Sequence, residues 1–278
     1  PLERTFLMQD IATPNPYSVP LSNLEPGAAH GSVPSIAQAL SRGYDFRIGD
    51  LLGESWRRTK GTKGLILGGF VVFYAAIFVL INVLSLFLTV AGVAGIAGLG
   101  LLGDSDAAGG LAVGAILAFV LGTIIVSLAA TALCYPLLAG VNMLGIRRAA
   151  DQPLRFNEIF SHFGRTFQVV ACVLLSTLMI FIGYLLFVLP GIYLSIAYLL
   201  AVPLVVERGL SPWAALEASR KAISQHWFKV FGLLLVFGLL FSLSGLTLGI
   251  ALIWLVPWLI VAIGVLYRTI FGVLPSKP

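Results

Sequence analysis

The sequence predicts an all-α, polytopic helical membrane protein: about six transmembrane helices arranged as three hairpins, with amphipathic helices on the cytoplasmic side. Three observations predict it. Apolar residues make up 59% of the chain and charged residues only 10%, whereas a soluble domain needs roughly 25% charged residues to cover itself in water. Residues 64–103 and 111–146 contain no charged side chain at all, and about 20 apolar residues are enough to cross a bilayer. All 17 Lys and Arg residues fall in 1–64, 147–166, 207–229 and 268–278, which become one side of the membrane if there are six spans.

Residues 1–43 carry Pro1, Pro14, Pro16, Pro20, Pro26 and Pro34 among Ser, Asn and Gly. Proline removes backbone donors and blocks helix, and little apolar surface is available to offset ordering. A largely disordered or extended tail is expected, with Leu2, Phe6, Leu7 and Met8 as a patch suited to a partner. This stretch has no signal-peptide pattern, so insertion is expected to rely on the first span.

From Tyr44 to Lys63 the chain turns amphipathic, with Asp50 as the expected helix cap, Trp56 at the interface, and Arg57, Arg58, Lys60 and Lys63 beside it. The first span is predicted at 65–88. Its glycine-rich continuation (Gly92, Gly95, Gly98, Gly100, Gly103) reads as more helix or as a loose turn, and Asp104 to Asp106 mark the break. The second span is predicted at 113–138, continuing to Ile146 and closed by Arg147 and Arg148. In 149–166, Phe156, Ile159, Phe160 and Phe163 repeat at helical spacing, which predicts a second interfacial helix.

The third span is placed at 167–189, a reversal at Pro190-Gly191, and a short fourth span at 192–206 closed by Glu207-Arg208-Gly209. Ser211 before Pro212 is a strong helix start. The helix it opens puts Trp213, Leu216, Ser219, Ile223, Trp227 and Val230 on one face, with Glu217 and Lys221 opposite and Arg220 at the edge. The fifth and sixth spans are placed at 229–244 and 248–267, joined by a hairpin from Ser244 to Gly249. The membrane domain is thus 44–270, with a short tail at 271–278.

The charge asymmetry predicts that both termini are cytoplasmic. Splitting 64–103 into two spans would send Arg147, Arg148, Arg155 and Arg165 to the opposite side, and is rejected on that ground. Glu54-Ser55-Trp56-Arg57 and Glu217-Ala218-Ser219-Arg220 echo each other, and Pro136, Pro203 and Pro257 each fall in the second helix of a hairpin. Three related units of surface helix plus hairpin account for both patterns, as does chance among apolar sequences.

The chemistry is sparse. No ionisable residue falls well inside a predicted span, which argues against a proton-coupled pump. Asn82 is the strongest polar group at depth and the candidate intramembrane polar site. His30, His162 and His226 are scattered and lack metal spacing, Asp104 and Asp106 offer too few ligands, and no serine sits in a nucleophile motif, so neither a metal, a cofactor nor a catalytic residue is expected. Cys134 and Cys172 read as small buried hydrophobes. The basic run 57–63 lies beside a span, where it meets anionic lipid headgroups rather than nucleic acid. Trp56, Arg57, Arg58, Lys60, Trp213, Arg220, Lys221 and Trp227 are the candidate interface to lipid or to a protein partner.

The stretch Pro190-Gly191-Ile192 through Tyr198 and Pro203, then Glu207-Arg208-Gly209, Ala214 to Lys221 and His226-Trp227, resembles the YciC-like bacterial inner-membrane proteins. It is also similar to the membrane domain fused to some glycerophosphodiester phosphodiesterases. The specific match covers about 190–230, and the six-span layout extends it loosely over 45–270. The resemblance implies a multispan bacterial plasma-membrane protein and carries over no activity, since no phosphodiesterase barrel is present. A non-enzymatic scaffold or accessory subunit is the first expectation. A transporter or lipid-handling permease is the alternative, and a membrane-embedded enzyme lacks a site.

Overall fold

A computed structural model describes residues 33–100 and 105–275, and among these every regular element is helical. The expectations for 1–32, for Leu2 to Met8 and for Asp104 lie outside the described residues. Residues 34–275 belong to one compact unit. Six helical segments are long and apolar enough to cross a membrane.

The tail is helical where it meets that unit. Helix α1 (Ile36–Arg42) starts with a capping box in which Ser35 Oγ accepts from Gln38 N and Gln38 Oε1 accepts from Ser35 N. The proline-rich reading of 1–43 therefore fails at its last turns, where Ser35 and Gln38 supply a start signal that composition hides. Helix α2 (Ile48–Thr59) follows, with Asp50 in its first turn rather than at its cap, which is Arg47.

Helices α3 (Lys63–Gly100) and α4 (Ser105–Ala149) form the first hairpin. The glycine-rich end of the first span is helix up to Gly100, with no loose turn before it. At 1.5 Å per residue, 38 residues extend about 57 Å, nearly twice the roughly 30 Å hydrocarbon core. Among the described residues, the part of this hairpin near Lys63 and Ala149 is packed into the bundle. Ile66 and Phe73 of α3, and α4 from Cys134 to Ala149, contribute to the core, while Val71, Phe78, Leu86, Val113, Leu117 and Ile125 are exposed.

Residues 150–165 are not the amphipathic helix that their spacing predicts. They form two short 3₁₀ turns, 156–160 and 163–165, with Ile159 fully buried. The turn is drawn against α4 at Gly140, where a Cβ would lie 2.6 Å from the Ile159 backbone. That close approach fixes one residue of the segment and leaves Phe156, Phe160 and Phe163 exposed.

Helix α5 (Thr166–Leu186) ends at the extended residue Phe187, and α6 (Val188–Ala197) starts at once. The reversal thus falls at Phe187, and Pro190 sits in the first turn of α6, where its missing N–H costs nothing. The fourth span is broken: α6 stops at Ala197, and α7 (Ala201–Arg208) follows a turn. Pro203 supplies the reason, because its ring would clash with the carbonyl four residues earlier in a continuous helix. The gap is closed from outside. Ser219 Oγ donates to Ala197 O at 2.7 Å and accepts from Leu200 N at 3.1 Å.

Ser219 belongs to α8 (Pro212–Ser224), which starts at the predicted Ser211 cap. Ala215, Leu216, Ala218, Ser219, Ala222 and Ile223 of this helix are buried, so α8 packs into the bundle along its apolar face. Helices α9 (Trp227–Ser244) and α10 (Leu252–Phe271) complete the third hairpin, turning through Gly245 to Gly249 as the sequence predicts. Helix α10 contains the largest buried side chain, Tyr267, together with Leu266, Ile270 and Phe271. It crosses α4 backbone to backbone: a Cβ on Gly264 would lie 2.3 Å from Gly145 O, and one on Gly145 would lie 2.5 Å from Ile260 O. Residues 272–275 are held on the bundle through Leu274, so the last tail is anchored up to that point.

Candidate functional site

Arginine side chains gather at one end of the bundle and meet carbonyls at helix C-termini, which carry partial negative charge and lack partners. Arg268 donates to Ala149 O at the end of α4, and also to Glu54 Oε1 at 2.8 Å. Arg42 donates to Thr269 O and Ile270 O, and Arg208 to Phe271 O, all at the end of α10. Arg165 donates to Val205 O and Val206 O near the end of α7 at 3.0 and 2.7 Å. Arg148 donates to Arg58 O and Lys60 O, closing α2. The cations that set charge asymmetry in the sequence are therefore also the caps that hold the loops together as a base.

Two carboxylates complete the base. Glu54 accepts from Arg268 and from Arg58 Nε at 2.7 Å, and Asp151 meets Arg58 at 2.6 Å. Burial raises the pKa of Glu54, but the hydrogen bonds from Arg268 and Arg58 outweigh it and the net shift is downward. Asp151 is held low first by its hydrogen bond from Arg58.

The base contains a crevice of about 660 Å³ between the two 3₁₀ turns, the end of α7 and the chain at Leu274. Arg147, Arg155, Arg165, Glu158, His162 and Glu207 are among its lining residues. Arg147 Nε meets Glu158 at 2.9 Å, and its Nη1 donates to Leu274 O. Sequence reading places Glu207 at an interface, whereas its side chain is 1% exposed. Glu207 Oε1 accepts from Leu274 N at 2.7 Å, and Oε2 stands 3.8 Å from Arg208 Nε. Among the described residues, Glu207 Oε2, Arg208 Nε and Tyr267 Oη are buried here without a hydrogen-bond partner, as is Tyr44 Oη elsewhere. The signal available in the sequence was a carboxylate directly after Val205-Val206 in an apolar run.

Comparison with family models, with curated proteins and with solved structures finds no match to this chain. Its functional reading therefore rests on its own geometry.

The sequence-predicted residues separate into distinct places. Asn82 is exposed on α3, and its Nδ2 donates to Phe78 O of the same helix at 2.7 Å, so its polarity is spent locally. Trp56 is 42% exposed and packs edge-on against Trp258 at 5.0 Å, with Lys63 Nζ above its ring. Arg57 and Lys60 are exposed beside it, while Arg58 is tied to Glu54 and Asp151. Trp213 is exposed and shares a pocket of about 170 Å³ with Tyr198 and Arg220. Lys221 pairs with Glu217 on the outer face of α8 at 2.8 Å. Trp227 is half-buried in α9, stacked on Phe231, with its Nε1 donating to Tyr193 O at 3.3 Å. Among the described residues, no group of three His, Cys, Asp or Glu residues is placed to hold a metal. Cys134 and Cys172 are buried, with free thiols.

Proposed function

We propose that this chain is a multi-pass protein of the bacterial plasma (inner) membrane with both termini cytoplasmic, acting without catalysis as a scaffold or accessory subunit in envelope maintenance or complex assembly. The observation that carries this reading is the arginine-capped base. Arg42, Arg148, Arg165, Arg208 and Arg268 are used to lock helix ends to one another, which produces a fixed platform. A fixed base suits docking better than it suits an alternating-access cycle, which requires one part of a bundle to rock against another. Arg57, Lys60, Trp213 and Lys221 remain exposed for anionic headgroups or a protein partner, and the proline-rich residues 1–32 are a second attachment point.

Purification from native membranes in mild detergent after crosslinking tests this reading. A partner retained by the full chain and lost on removal of residues 1–32 is the expected result. A chain recovered always alone refutes the scaffold. Orientation is checked by thiol labelling of K60C and K221C in intact cells, where no reaction from outside is expected. The lipid-handling permease is the second reading, favoured by the crevice at the same base. Lipid or solute movement in reconstituted vesicles would establish it instead.

A further inference from the structure

We propose that the crevice at the base is a binding site for the phosphate of an anionic phospholipid headgroup, with Arg155 as its principal ligand and the exposed phenylalanines of 156–167 as the seat of the acyl chain. This goes beyond the scaffold reading and does not depend on it.

The charge balance comes first. Five charged side chains, besides His162, line the crevice, and two of the arginines are not offset by acids. Glu158 is neutralised by Arg147 at 2.9 Å. Glu207 directs one oxygen to Leu274 N and lies beside Arg208, whose side chain is almost fully buried. Arg165 gives Nη1 to the two carbonyls of α7 and meets no carboxylate among the described residues. Arg155 is exposed at the rim, and among the described residues it makes neither an ion pair nor a side-chain hydrogen bond. An excess of guanidinium in a recess favours an anion, and the planar fork matches a phosphate. Asn157 and Ser161 add neutral polar groups to the same wall.

The surroundings favour a lipid over a free ion. Phe156, Phe160 and Phe163 are exposed on the segment that forms the crevice wall, and Phe167, at the start of the α5 span, is 84% exposed. These phenylalanines do not line the crevice themselves, but Phe156 is next in sequence to Arg155, Phe160 to Ser161 and Phe163 to His162, all lining residues, so apolar side chains flank the site on the same turns and continue into α5 at Phe167. The volume of about 660 Å³ has room for a headgroup. The position also fits the six-span layout, in which the base stands at the ends of the apolar segments.

Native mass spectrometry of the full chain in mild detergent, titrated with phosphatidylglycerol, tests the site. R155Q and R155E are each expected to weaken binding about tenfold, the size of one lost charge-assisted contact, and F163S to weaken it measurably. R47E, at an exposed arginine immediately before α2 and outside the candidate lipid interface, is expected to leave it unchanged. Binding by R155Q and R155E equal to that of the unaltered chain overturns the proposal. An equal loss in R47E overturns it as well, since the effect would then be general surface charge. Phosphatidylcholine binding as tightly as phosphatidylglycerol sinks the anionic class. Displacement of the lipid by equimolar inorganic phosphate converts the site to one for a free anion and sinks the lipid.

Discussion

At the residue scale, the side chains that matter most make two bonds across elements. Ser219 is the clearest. In sequence this serine is placed only on the apolar face of its helix, yet its hydroxyl satisfies both the carbonyl and the amide left open where α6 gives way to α7. Ser219→Ala leaves both backbone groups buried without partners and is expected to cost about 1–3 kcal/mol, seen as a lower thermal midpoint in detergent. Ser219→Thr, which keeps the hydroxyl, should recover part of the loss. Ser55 plays a comparable part, accepting from Trp258 Nε1 at 2.9 Å while donating to Leu52 O. Glu207 went unrecognised in sequence for a related reason. Its place at the end of an apolar run looks like an exit to water, whereas in the fold the carboxylate is buried and accepts from Leu274 N, 67 residues away.

At the element scale, the outcome depends on how closely backbones approach. The span positions were readable because hydrocarbon demands long apolar helices whatever their neighbours. Their interruptions were readable only where the cause is local. The Ser211-Pro212 start and the Gly245–Gly249 turn are set by residues within a few positions of each other. The break in the fourth span is set partly by Pro203 and partly by Ser219, sixteen residues later, which a local reading does not join. The α4–α10 crossing was missed because Gly145 and Gly264 are two glycines among 30 until the helices are placed side by side. Gly264→Leu should force them apart, since the first obstacle is backbone and cannot rotate away. A loss of about 3 kcal/mol or more is expected, with a broadened elution profile on size exclusion. The same change at Gly238, whose surroundings are open, should be nearly neutral.

At the scale of the whole molecule, the base depends on charge pairs and so on pH. Glu54 and Asp151 both titrate below their ordinary range, so their contribution to stability is complete above the unfolded carboxylate values and is lost as pH falls through the folded ones. Thermal midpoints in detergent should be flat near neutrality and fall below about pH 4. Glu54→Gln should lower the neutral plateau and flatten that acid limb, and an unchanged acid limb would count against Glu54 as its source. The first hairpin adds a second whole-molecule consequence. Its length exceeds the hydrocarbon core, so it must either tilt steeply or carry apolar surface past the headgroups.

By itself the sequence determined that this chain is a helical membrane protein with six apolar segments and its cations confined to one set of loops. Those properties follow from the cost of placing unpaired backbone and charge in hydrocarbon, which every residue pays separately and which is therefore written along the chain. Tertiary structure alone decided what the cations do, where the fourth span breaks, that residues 150–165 are turns, and that a crevice lies beneath them. Each of these depends on a partner distant in sequence: Arg268 on Ala149, Ser219 on Ala197, Ile159 on Gly140, Glu207 on Leu274. Hydrogen bonds and van der Waals contact act over a few ångströms in space, and apolar sequence leaves almost no mark of which distant residues will come within that range.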